Sequence, residues 1–549
     1  MPTRPLHRLA AAVAAAAVVA AAPLPSLTSC GGFRVDPTTT RWVDACGRER
    51  LFRGINKVNK GPPYYPDPSI FAAGSSATPG DAALQQSLGW NAMRLGAMWA
   101  GVTPTRNGGV NASYLAVLTG ISRQFAAGAG IATLVDAHQD LLSEAFCADG
   151  APIWLAHDMA AGAPQAFPLP AVATPCAFGP DGRPAGACCS ELGGWADYYP
   201  TSAVSYGFQQ LYTNASFSGQ FAAFWASLAA AYAPLGGDAL VGYELLNEPW
   251  AGDVLANPAL LVPGVADRAN LQPFYEHVAA AIRAVTPDAG VLLYEGVTWD
   301  DFFPLGFDAL PDAARGLAAI SYHFYDLPGL DFEVDIAQRT ADMARLQAGG
   351  LLTEFAVYED GYCPSSLACM RDTLDTLERY SHGYIGWEYA TVWDNATALN
   401  ETRAYEMARP FPMTVAGHLT GVAFDRAAST MTVNFTAPTT PPAAAAWANT
   451  SVVFVSLGLY FPGGFTASLA AAPADARAVL STPCWAGAGA GGTRVNPPSM
   501  GCAPPPPPPL TPGAPMPYAY GYVQLALETA SGGAVSLLIK GQTGRRRGA

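Results

Sequence analysis

Between residues 51 and 390, short apolar runs rich in β-branched and aromatic side chains alternate with Ala-rich stretches whose apolar positions recur at helical spacing. The runs read as strands and the stretches as amphipathic helices. Eight strands are predicted: "LFRGINKV" from Leu51, "NAMRLGAM" from Asn91, "IATLVDAH" from Ile131, "LVGYELLNE" from Leu240, "VLLYEGVTW" from Val291, "AAISYHFY" from Ala318, "GLLTEFA" from Gly350 and "GYIGWEYA" from Gly383. Their near-continuous apolarity predicts a parallel sheet covered by helices. Between them, "SYLAVLTGISRQFAAGAG", "GQFAAFWASLAAAYAPLG" and "PFYEHVAAAIRAVTP" have helical period and end near Gly or Pro. Repeated βα units in this number close into an α/β fold, a (β/α)8 TIM barrel.

Two insertions interrupt the pattern. "NKGPPYYPDPSIFAAG" follows the first strand, and residues 141–217 follow the third. Both are rich in aromatics and proline. The longer one holds Cys147, Cys176, Cys188 and Cys189, which predicts a disulfide-tied loop over the barrel mouth. After about Tyr405 the pattern changes to the strand-like runs "TVAGHL", "TMTVNF", "SVVFVSLGLYF", "YVQLALET" and "AVSLLIK", the spacing of a small β-sandwich. The prolines at 504–509 predict an extended excursion between two of its strands. The expected organisation is a signal peptide at 1–22, a barrel domain at 31–405 and a C-terminal β-sandwich at 406–549.

Composition narrows the function. Half of the 549 residues are apolar, enough for a sizeable core. The net charge of −14 comes with few, scattered Lys and Arg, which argues against nucleic acid as a partner. The one block of like charge, Arg545 to Arg547, reads as a solvated tail. Residues 1–22 carry Arg4, His7 and Arg8 ahead of an Ala/Val run and a small-residue site before Pro23, the layout of a secretory signal peptide, so secretion or a secretory-pathway lumen is expected. The ten cysteines fit that compartment, and Cys363 and Cys369 are spaced to staple one loop. Six sequons start at Asn111, Asn214, Asn395, Asn400, Asn434 and Asn449. No cysteine and histidine spacing suits zinc, and neither a metal nor a cofactor is expected.

In a barrel of this kind the chemistry sits at the C-terminal strand ends. Those ends offer Arg94 on strand two, Asp136, His138 and Asp140 on three, Asn247 and Glu248 on four, His323 and Tyr325 on six, Glu354 on seven and Trp387 on eight. A lone glutamate at a strand end serves more often as a cap or an ion-pair member. Two facing one mouth, amid this company, fit glycoside hydrolysis, which needs a proton donor to the leaving oxygen and a nucleophile at the sugar carbon.

This set resembles glycoside hydrolase family 5. More narrowly, "RGINKVNKGPPYYP", "WAGVTPTRNGGVNASYL", "DAHQDLLSEAFCADGAPIW" and "YELLNEPW" resemble the endoglycoceramidases, which release an intact oligosaccharide from ceramide. The resemblance runs from about Arg41 into the second domain at "ARPFPMTVAG". It implies Glu248 as general acid/base and Glu354 as nucleophile, with Arg94 keeping Glu354 ionised. It further implies Asn247 at the 2-hydroxyl of the reacting sugar, Tyr325 aiming Glu354, His323 in support, and Trp387 as the platform under that sugar. His138, Asp136 and Asp140 match polar contacts to sugars or supports for the site. Lys60 matches a sugar-contacting lysine through Asn56-x-x-x-Lys60, with Lys57 as the competing assignment. The implied partner is a glycosphingolipid or another glycoside, with transient contact at a membrane surface, and a monomer is expected. Simple glycosylceramides, steryl glycosides and β-glucans are the alternative substrates, and a carbohydrate-binding protein without turnover is the alternative of another class.

Overall fold

The computed structural model describes residues 30–542 apart from 301, 327–329, 358–365, 397, 440–447, 483 and 486–517. The expected signal peptide, Cys363, the proline run and the terminal arginines lie outside the described residues.

The eight predicted strands form one closed parallel barrel: β1 (Arg53–Lys57), β2 (Ala92–Gly96), β3 (Ala132–Asp136), β4 (Leu240–Glu244), β5 (Val291–Glu295), β6 (Ala318–Phe324), β7 (Gly349–Phe355) and β8 (Tyr384–Gly386). Closure is made by β8 on β1, with Ile385 opposite Gly54. Every strand residue is buried, which accounts for the absence of apolar/polar alternation in these runs. The helix Ala112–Ala129 shows how the chain returns between strands: the Asn111 side chain caps its start, and Gly130, at φ +66°, ends it in a left-handed conformation that glycine adopts at little cost.

The insertion after β3 is a folded, stapled unit. Cys147–Cys189 and Cys176–Cys188 tie it, and it contains the helices Ile153–Ala160 and Ser202–Thr213. Its aromatics Phe167, Tyr198, Tyr199 and Phe208 belong to the barrel's main core cluster. They therefore clamp the insertion onto the barrel instead of lining an open apolar lid. A third disulfide joins Cys30 and Cys46, and Cys369 is also disulfide-bonded.

The C-terminal region packs two antiparallel sheets around a core of its own that includes Phe411, Val433, Phe454, Val523 and Leu537. One sheet recruits the N-terminal strands Phe33–Val35, Trp42–Asp44 and Glu49–Arg50, the last pairing with Thr414 and Val415. A charge network centred on buried Arg409 and Glu406 also ties barrel to sandwich: Arg409 meets Asp375 at 2.5 Å and Glu406 at 3.1 Å, and Arg426 reaches Glu406 at 2.7 Å.

Candidate active site

Arg94 organises the barrel's interior at its C-terminal end. Fully buried on β2, it donates from Nη1 to Glu354 Oε1 at 2.7 Å and to Asn56 Oδ1 at 2.9 Å, and from Nη2 to Asn247 Oδ1 at 2.6 Å. The same guanidinium pairs with Asp136 at 3.1 Å and with Glu244. Asn56 donates to the carbonyls of Thr353 and Gly386 at 2.9 and 3.0 Å, which fixes it across the β7–β8–β1 seam. A single planar fork thus holds side chains from strands one, two, three, four and seven in register.

The two glutamates face each other across this hub. Carboxylate oxygens of Glu248 and Glu354 and a ring nitrogen of His323 all lie within 4.8 Å of one another. His323 Nδ1 is 2.8 Å from Glu248 Oε1 and 3.6 Å from Glu354 Oε2, and Tyr325 donates to Glu354 Oε2 at 2.7 Å. Glu248 has a φ of +42°, a left-handed backbone that a residue bearing a side chain adopts at a cost. The surrounding bonds hold it there: Gln139 Nε2 donates to the carbonyls of Asn247 and Glu248 at 2.7 and 3.0 Å, and Glu295 accepts from the Glu248 amide at 3.0 Å.

Burial pushes Glu248 up to about 8, with the charge of Asp140 adding to it while Lys60 and Arg94 pull it down. Burial also pushes Glu354 up to about 7, against the lowering by His323 and Arg94. Arg94 lowers Glu354, in the direction that favours its ionised form, while burial acts the other way, and Arg94 also answers Asp136 and Glu244. Burial holds His323 below its ordinary range, so at neutral pH the ring is uncharged and Nδ1 can accept a hydrogen bond from a protonated Glu248 and orient it.

On the rim, His138 and Trp387 stack with centroids 5.4 Å apart and planes 8° from parallel, and His138 Nδ1 is 2.8 Å from Asp136 Oδ2. Lys60 sits 5.0 Å from the Trp387 ring centre and 6.0 Å from that of Trp195, paired with Asp140 and 3.8 Å from Asp149. Lys57 does not reach this rim. It is buried against the Tyr389 ring at 3.4 Å and donates to the Ser76 carbonyl, which leaves Lys60 as the lysine at the mouth.

All eleven predicted site residues, Lys60 and Asp140 included, converge on one mouth. Sequence reasoning passed over Asn56, Gln139, Asp149, Glu244 and Glu295. A signal for two of them was present, since "LVGYE" and "VLLYE" each close an apolar run on a glutamate that no helix start requires. Ligand atoms of His138, Asp140 and Asp149 also gather within 4.8 Å, but the Lys60 ammonium is the cation that meets Asp140 there.

The profile of the family described as Cellulase (glycosyl hydrolase family 5) matches residues 69–392, more than half of the chain and the whole stretch from the first insertion to β8. The chain belongs to glycoside hydrolase family 5. Among family 5 relatives, it is 33% identical over 448 residues to an endoglycoceramidase of Cyanea nozakii, covering 78% of this chain and 86% of that one. An endoglycoceramidase of Hydra vulgaris is also 33% identical, over 78% of this chain and 82% of its own. In fold it is similar to endo-glycoceramidase II from Rhodococcus sp. in complex with ganglioside GM3, with a TM-score of 0.63 and 17% identity over 91% of this chain and 99% of that one.

Proposed function

We propose that this family 5 chain is a secreted, retaining endoglycosylceramidase, cleaving the β-glycosidic bond between the oligosaccharide and the ceramide of glycosphingolipids. The observation that carries the reaction type is the approach of Glu248 and Glu354 carboxylate oxygens within 4.8 Å. That suits direct attack, for which carboxyl groups stand about 5–5.5 Å apart, and leaves no room for the water that an inverting pair holds at about 6.5–9.5 Å.

In this reading Glu354, aimed by Tyr325 and Arg94, attacks the anomeric carbon, while Glu248, the more strongly proton-holding of the two, protonates the departing ceramide oxygen. Glycosylation removes the charge of Glu354. Glu248 then releases its proton more readily and deprotonates the incoming water. Asn247 stands beside Glu248 for the 2-hydroxyl, and Trp387, Lys60 and His138 line the sugar side.

The lipid end of the substrate is supported by the similarity to endoglycoceramidases at 33% identity and by the rim itself. Leu261, Val262, Trp299 and Phe303, on the loops after β4 and β5, are each about half exposed or more. The two loops abut where Gly264 meets Gly306 too closely for any side chain on Gly306. Exposed apolar side chains on adjoining loops at the C-terminal end of the barrel suit a ceramide and a membrane surface. Secretion is supported by the disulfides, which persist in oxidising compartments.

A 2-deoxy-2-fluoro aryl glycoside tests the mechanism, because it slows release of a glycosyl-enzyme. The expected result is a covalent sugar on the peptide containing Glu354. Labelling of another residue, or turnover with no adduct, overturns the reading.

A further inference from the structure

Asp140 and Asp149 face each other through an isolated antiparallel bridge, each amide donating to the other's carbonyl at 3.2 and 3.1 Å. Both are buried, at 4% and 2% exposure, and their carboxylate oxygens lie within 4.8 Å of each other. Two buried carboxylates this close repel when both are ionised, which favours one proton shared by the pair. Among the described residues one cation pairs with these carboxylates: Lys60, bonded to Asp140 and 3.8 Å from Asp149 Oδ2, its own side chain 42% exposed. A single proton on the pair makes the buried trio neutral, whereas two full charges against one ammonium leave an uncompensated buried anion.

We propose that Asp149 is a positioning residue for Lys60. It carries the proton of an Asp140–Asp149 acid pair and donates it to Asp140, so that Asp140 alone answers the ammonium and holds it over the Trp387 ring. The inference rests on reading this mouth as a sugar site, since it is there that the remaining Lys60 N–H groups meet sugar hydroxyls. The titration directions agree with the geometry. Burial and the Asp140 charge push Asp149 well above the ordinary carboxylate range, while Asp140, despite its burial, is held below that range by Lys60. The other groups facing the pair are His138, whose Nε2 is 3.9 Å from Asp140; Asp136; Glu248 and Tyr199, which feel the Asp140 charge; and Tyr64 backed by the Glu144–Arg183 ion pair. Among these, burial holds His138 uncharged, and Glu144 and Arg183 answer each other, so Lys60 is the cation that settles the pair.

The test compares Asp149→Asn and Asp149→Val with the parent on an aryl β-lactoside. Asparagine still donates to Asp140, so its KM stays within about twofold of the parent; valine frees Asp140 and Lys60 and raises KM about tenfold with kcat little changed, the loss of one charge-assisted hydrogen bond. Equal KM increases in both variants mean that an ionised Asp149 is needed and overturn the proposal, as does a parent-like KM in Asp149→Val. Should the valine variant fail to fold, infrared spectroscopy decides: at neutral pH the carboxylic-acid C=O absorption of the parent exceeds that of Asp149→Asn by one group, protonated Glu248 contributing to both, and equal absorption in the two overturns the proposal. If the parent leaves the lactoside uncleaved, the sugar-site reading fails, while the infrared band still reports the acid pair.

Discussion

Arg94 and Glu354 meet inside the barrel, Nη1 to Oε1, at 2.7 Å, with the guanidinium fully buried. The contact is one of five that the same side chain makes, to Glu354, Asp136, Glu244, Asn56 and Asn247. A lysine presents one point charge and cannot satisfy this fork. Arg94→Lys is therefore expected to cost about 3–5 kcal/mol of stability, the range for breaking a buried pair. Denaturant unfolding measures it, together with a loss of turnover larger than the loss of fold.

The barrel and most of its site were legible because their signals are local. Strand runs lie between helical repeats, Asn247-Glu248-Pro249 closes one run, and His323 and Tyr325 close another. What escaped the sequence is what only closure creates. Glu244 and Thr353 are far apart along the chain, yet Thr353 Oγ1 donates to Glu244 Oε1 at 2.8 Å once β4 and β7 face each other. Gln139 reads as an ordinary loop glutamine until its amide is seen to fasten Glu248 in its left-handed conformation. Asp149 lies in "CADGAPIW", where an Asp-Gly pair suggests a turn and nothing more. The strands at 33–50 are too short to declare a sheet, and their partner at Phe411–Val415 is remote in sequence. The aromatics of the long insertion read equally as lid or as core, and packing against the barrel decides for core.

In the proposed mechanism turnover requires Glu354 ionised and Glu248 protonated. Falling pH protonates the nucleophile and rising pH strips the acid, so kcat/KM is expected to be bell-shaped. Burial raises both groups, to about 7 for Glu354 and about 8 for Glu248, so both limbs are displaced upward from the ordinary carboxylate range. These are values of the interacting pair. Glu248→Gln removes the alkaline limb and lowers kcat on a glycolipid by about 10²–10⁴-fold, with the circular dichroism of the parent retained. A Glu248→Gln profile that keeps both limbs reassigns the acid.

The exposed rim after β4 and β5 predicts a substrate-dependent defect. Leu261→Ser with Trp299→Ser is expected to slow hydrolysis of a glycosphingolipid presented in vesicles and to leave a water-soluble aryl glycoside unaffected. Vesicle co-sedimentation measures the lost surface contact directly. Equal losses on both substrates would place these side chains in the sugar site instead.

The stacked pair of His138 and Trp387 predicts a binding effect. Trp387→Ala uncovers His138 and removes the aromatic surface beneath the sugar, raising KM on every glycoside by about tenfold or more, as loss of base–aromatic stacking of about 1–3 kcal/mol does in other ligand sites. Initial rates across substrate concentration separate this from a change in kcat.

The most direct test follows the first products of a glycosphingolipid bearing several sugars, by mass spectrometry for their size and by NMR for the anomeric signal. Cleavage at the ceramide bond through Glu354 yields ceramide and the whole oligosaccharide in one step, and the sugar appears first as the β anomer because two displacements restore the configuration. Monosaccharides released stepwise from the outer end, with ceramide last, or a first-formed α anomer, would contradict the account.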